Sequence, residues 1–177
     1  MRPAKAILTL ALCSVGLAAL AAPAATQGTE PLYVRHEMQA EINPAVVAIW
    51  DVGNTATDDY GMLDASKMTQ AQWNTLADAA AALVASSERM ARAGDIRAAA
   101  PGNMATEEYE VTMAQVQDYI DADPATFRVR AAEFALVARN LETAARARDA
   151  AVAGEIVANL DAECAVCHAQ FWYPEAP

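Results

Sequence analysis

The stretch "DAECAVCHAQFWYP", residues 161–174, holds two cysteines three positions apart and one of the protein's two histidines. On a helix, Cys164 and Cys167 stand about one turn apart, and His168 follows Cys164 by four positions. All three side chains then leave within about one third of the circumference. Two thiols and an imidazole so placed suit three chemistries. They are a redox dithiol, a metal site, or covalent attachment of a haem through C-x-x-C-H. In the last case the cysteines become thioethers on the porphyrin vinyl groups, and the histidine is the proximal iron ligand.

The first two chemistries lack supporting parts. A structural zinc site wants four Cys or His ligands, and only His36, far away in the chain, remains to help. A thioredoxin-like C-x-x-C wants a βαβ setting and a helix N-terminus that stabilises a thiolate. Here the pair is expected near the C-terminal end of a helix in a chain without evident strands. A disulfide across this spacing would close too small a loop to add much stability. One covalent haem c, held by Cys164 and Cys167 with His168 on the iron, is the expectation.

The elements that must position these residues read as helices. "TQAQ" at 69–72 is a capping box. Trp73, Leu76, Ala80, Leu83, Ser87 and Met90 then follow 3-4-3-4-3 spacing until Gly94. Asp123-Pro124 is an N-cap with proline at the first helical position. Phe127, Ala131, Phe134, Ala138, Leu141 and Ala145 form an a/d stripe after it. Asp149 caps a last helix that carries Ile156, Leu160, Cys164, Cys167 and Phe171 and stops at Pro174. A first helix over about 32–52 presents Met38, Ile42, Val46 and Ile49 on one side, with Pro44 inside it predicting a kink. Tyr109, Met113, Val116 and Ile120 predict a short extra helix after Thr106. The fold class is therefore all-α, with four main helices of roughly 20–24 residues in an antiparallel four-helix bundle.

The start of the chain reads differently. "MRPAK" is followed by an uncharged Ala/Leu-rich run and then Ala22-Pro23-Ala24, the layout of a secretory signal peptide over 1–24. The run is shorter than the ~20 residues of a membrane span, which argues against a retained anchor. Cys13 raises a lipoprotein signal, for which Leu12 is a poor preceding residue. The domain expected over 25–177 keeps 10 basic against 23 acidic residues, a net charge of −13. So acidic a surface repels nucleic acid and anionic membranes and complements a basic protein partner. No Ser/His/Asp set, acid–base carboxylate motif or phosphate loop points to a hydrolase or transferase, and an enzyme is not expected.

A signal peptide, four helices and a C-terminal C-x-x-C-H together resemble the cytochrome c′ / cytochrome c-556 family, the class II c-type cytochromes. The resemblance covers the layout of most of the exported chain. Its specific sequence content is Cys164, Cys167, His168 and the aromatic residues after them. It implies a periplasmic bacterial monohaem protein that transfers electrons or binds gases, and a homodimer as the common assembly. It also implies that the first helix covers the distal haem face, with a methionine as sixth iron ligand in low-spin members and an apolar residue in high-spin ones. Met38 matches such a methionine; core packing is the alternative role for it. His36 is a rival ligand pointing to the opposite side of that helix. Ile42, Phe171 and Trp172 would pack on the haem. Two features depart from the family. No basic residue follows the haem histidine near Trp172, and the 94–123 connection is long for a compact bundle. Trp50, Trp73 and Trp172 are expected in the core or against the haem.

Overall fold

The computed structural model describes residues 30–173. The expected leader over 1–24 and the expected stop at Pro174 lie outside the described residues. The chain is mostly helical. Helix α1 runs through three consecutive stretches: Val34–His36, a π-helical Glu37–Ile42, and Asn43–Ala56. It is followed by α2 (Gln70–Arg92), α3 (Met113–Ala122), α4 (Pro124–Ala147) and α5 (Ala150–Phe171). The most extensive helix–helix contact joins α2 to α4, and α1 and α5 pack on this pair and on each other.

The helix starts are set by side chains that satisfy orphan backbone donors. Thr69 and Gln72 form the expected capping box at α2, and Asp123 and Asp149 accept from the N–H groups of Thr126 and Val152 at α4 and α5. Every residue of the predicted α2 stripe, from Trp73 to Met90, is buried. In α4, Phe127, Ala131, Ala138, Leu141 and Ala145 are buried and Phe134 is half-buried. Helices α4 and α5 are joined by Arg148 and Asp149 alone. Arg148 takes a left-handed conformation (φ 57°), and the Arg148 and Asp149 N–H groups donate to the carbonyls of Ala145 and Ala144 at 3.1 and 2.9 Å. This is a Schellman turn, and it folds α5 straight back onto α4.

Three expectations are corrected. The extra helix begins at Met113 rather than after Thr106, because Thr112 and Gln115 form a second capping box; Tyr109 lies in the preceding loop, almost fully exposed. No strand was expected, yet Leu32–Tyr33 (β1) pairs in parallel with Ile96–Arg97 (β2). Two residues are too few to leave an alternating pattern in the sequence. The predicted disturbance at Pro44 takes the form of a π stretch just upstream of it. Asn43 N–H donates five residues back, to the Met38 carbonyl. Proline has no N–H to return to the preceding turn and its ring crowds that turn, so widening the backbone before it relieves both faults.

Among the described residues, no helix is long and apolar enough to cross a membrane.

Candidate functional site

Helix α5 is anchored at both ends of its chemistry-bearing segment. Leu160 is fully buried one turn before Cys164. Phe171, three residues after His168, is buried with its ring edge-on to that of Phe127, centroids 5.3 Å apart. Between these anchors Cys164, Cys167 and His168 are half-buried on one side of the helix, with both thiols free.

That side opens onto a cleft of about 700 Å³, within the range of sites that take small molecules and cofactors. Helix α5 contributes Cys164, Cys167 and His168 to its lining. Helix α1 contributes Met38, Ile42 and Val46 on one line and Asn43, Val47 and Trp50 on the next. Phe127, Ala131 and Phe134 of α4 close the floor with Met90 of α2. Residues four apart fall along one line of α1 as the π stretch passes into regular helix, which brings Met38, Ile42 and Val46 to the same wall. A narrower apolar gap beside the cleft is bordered by Met38, His168, Phe171 and Trp172 together.

Burial sets the protonation of the donors. It pushes the Cys167 thiol up to about 11, with the charge of Arg130 pulling the other way. The Cys164 thiol is also raised, by burial first and then by Asp161 and Glu163. The His168 imidazole is held below its ordinary value by burial, against a smaller upward pull from Asp161. All three groups are therefore neutral near pH 7. A redox dithiol needs the opposite, a thiolate stabilised by its surroundings. A neutral imidazole with a free ring nitrogen is the form that binds iron or zinc.

Each predicted site residue has a definite place. Cys164, Cys167, His168, Met38 and Ile42 meet in one cleft, Ile42 being almost fully buried. Phe171 lies behind the histidine, and Trp172 is half-buried with its ring 6.2 Å from the His168 ring. His36 is exposed and is not part of the lining. The tryptophans separate: Trp73 is core, whereas Trp50 is 40% exposed at the cleft. The sequence reading missed Arg130, the one Lys or Arg lining the cleft, which donates to Glu133 (2.8 Å) and Gln170 (3.4 Å). No local signal marks it, because Arg128 stands equally between Phe127 and Ala131 of the α4 stripe yet turns to the carbonyls of Ala93, Gly94 and Pro124.

Among the described residues, no three His, Cys, Asp or Glu side chains cluster tightly enough to cage a metal ion unaided. The lining brings two neutral thiols and an imidazole of α5 together with a thioether sulfur and aliphatic side chains of α1, and Arg130, Asp161 and Glu163 add charge to it. Comparison with family models, curated proteins and solved structures gives no match to the chain.

Proposed function

We propose that the cleft holds one haem c and that the protein is a periplasmic monohaem cytochrome that transfers electrons. The observation that carries this reading is the meeting of Cys164, Cys167 and His168, at attachment spacing, with Met38 of α1 in the lining of one largely apolar cleft. The four long helices are read as the antiparallel bundle of the cytochrome c′ / c-556 family, the α4–α5 turn giving one of its hairpins. Cys164 and Cys167 would hold the group through thioethers, and His168 and Met38 would be the protein's ligands to its iron. Ile42, Phe171 and Trp172 pack against the group and exclude water from it. The haem supplies one-electron redox chemistry, and His/Met ligation raises its potential.

The remaining residues act through their surroundings. The apolar floor, with Phe127 and Ala131 buried and Phe134 half-buried, lowers the local dielectric around the charges that line the cleft, Arg130, Asp161 and Glu163. Val47 and Trp50 leave the cleft's edge partly open, where an electron can pass to a partner. The acidic surface of the exported chain, at −13, steers a basic redox protein toward it. A homodimer is the assembly that the family resemblance suggests.

A second reading rests on Ile42 and Val46, which follow Met38 on the same wall. In that reading an apolar side chain would stand in place of a methionine ligand, and the protein would bind nitric oxide or carbon monoxide.

Optical spectra in both redox states separate the two readings. Covalent haem with a low-spin spectrum that Met38→Ala converts to high-spin supports the electron carrier. A high-spin spectrum indifferent to Met38→Ala supports gas binding. Purification of the chain from a host with haem-attachment machinery, without covalently bound haem, would overturn both.

A further inference from the structure

Next to Met38 stands Glu37, and the two are treated in opposite ways. Glu37 is 7% exposed, the one buried charged residue among those described. It turns from the cleft toward α2. There Ser86 Oγ donates to its Oε2 at 2.6 Å, while Arg89 donates from Nη2 to Oε2 at 2.7 Å and from Nε to Oε1 at 3.2 Å. Ser86 is fully buried. A forked guanidinium–carboxylate pair fixes direction as well as distance. Glu37 also opens the π-helical stretch Glu37–Ile42, whose last widened bond ties the Met38 carbonyl to Asn43 N–H. Such a stretch is intrinsically poorer than regular helix and needs outside support.

We propose that Glu37 is the positioning residue of the cleft, its bonds to Ser86 and Arg89 fixing the rotation of the π-helical stretch so that Met38 faces His168. The carboxylate acts like a bolt from α1 into α2. It holds the stretch at one end while Pro44 imposes the widening at the other, and Met38, one residue on from Glu37, is aimed inward. Without the bolt the stretch can relax toward α-helical register, turning Met38 about the helix axis. The role toward a sixth ligand rests on the function proposed above; the hold on the π stretch does not.

The experiment uses the full exported chain as purified and two readouts. In the first, backbone hydrogen exchange is compared for Glu37→Ala, Glu37→Gln, Arg89→Met and a surface control, Arg146→Met, which breaks the exposed Arg146–Glu142 pair. Breaking this pair, whose carboxylate is buried and whose guanidinium is 44% exposed, is expected to speed exchange at 38–43 about 10-fold. The isosteric Glu37→Gln should fall between wild type and Glu37→Ala, and the control should leave 38–43 unchanged. In the second readout, the low-spin signature that depends on Met38 should fall in Glu37→Ala and Arg89→Met while covalent haem is retained, and return in part in Glu37→Gln. Unchanged exchange at 38–43 overturns the proposal, as does an equal rise across α5, which would mean general loosening. Faster exchange with the Met38 signature intact overturns the positioning role. If wild type carries no haem or no Met38 signature, the function proposed above fails on that readout, and the exchange readout still judges the bolt by itself.

Discussion

The two walls of the cleft are built differently. The α5 wall is an unbroken helix. It starts at an Asp149 cap, runs past buried Leu160, and is seated at the far end by the Phe127–Phe171 edge contact. Among the described residues, no side-chain hydrogen bond ties Cys164, Cys167 or His168 in place. The α1 wall is irregular, with a π stretch, a proline, and a buried carboxylate bonded to two residues of α2. The difference follows from the bonds each wall is asked to make. Under the function proposed above, thioethers once formed would not slip, so apolar packing would suffice to hold Cys164 and Cys167. A coordinating thioether sulfur would be weakly held and would have to be aimed before it binds, which calls for directional supports around it.

The contrast can be broken from the α5 side with the largest effect. Cys164→Ala with Cys167→Ala should abolish covalently retained haem completely, as read by mass and by haem staining of the denatured chain, since no other described cysteine can replace them. Next in size, Phe171→Ala empties a well-packed position and should cost about 3–5 kcal/mol in urea denaturation. Val166→Ala, on the same helix but 48% exposed, should stay within about 0.5 kcal/mol. On the α1 side the effects are smaller and directional. Ser86→Ala withdraws a buried donor from the Glu37 carboxylate and should cost about 1–3 kcal/mol. Its neighbour Ser87 is equally buried, and its Oγ has no hydrogen-bond partner among the described residues. Ser87→Ala should therefore be neutral or stabilising by up to about 1 kcal/mol in the same denaturation assay.

Much of the α5 wall could be read in the chain because local rules govern it. The Asp149 cap, the stripe through Ile156 and Leu160, and the C-x-x-C-H spacing are all short-range patterns. Thr112-Met113-Ala114-Gln115 was equally legible as a capping box. Reliance on the apolar run that includes Tyr109 placed the α3 start too early. The α1 wall was harder. "RHEMQAEI" shows an acid beside a methionine, which on any exposed helix would be unremarkable. Only tertiary packing reveals that Glu37 finds Ser86 and Arg89 about fifty positions away. The same holds for Arg130, whose place at the cleft depends on how α4 lies against α1 and α5. The π stretch was legible only as trouble at Pro44, since the way a helix absorbs a proline depends on what its neighbours can support.

The parallel clip of Leu32–Tyr33 on Ile96–Arg97 continues into α1. Arg35 N–H donates to the Ala98 carbonyl, and the Arg35 guanidinium donates to the carbonyls of Asn103 and Ala105. The first turn of α1 is thus fastened to chain that lies more than sixty residues downstream. This sets an order of assembly. Closing so long a loop is entropically costly, while the α4–α5 hairpin needs only a two-residue turn. On that ground the first turn of α1 is expected to seat late, after the transition state has formed. Arg35→Met should accordingly accelerate unfolding and leave the refolding rate nearly unchanged in stopped-flow denaturant jumps. The cleft would be finished from its attachment wall outward.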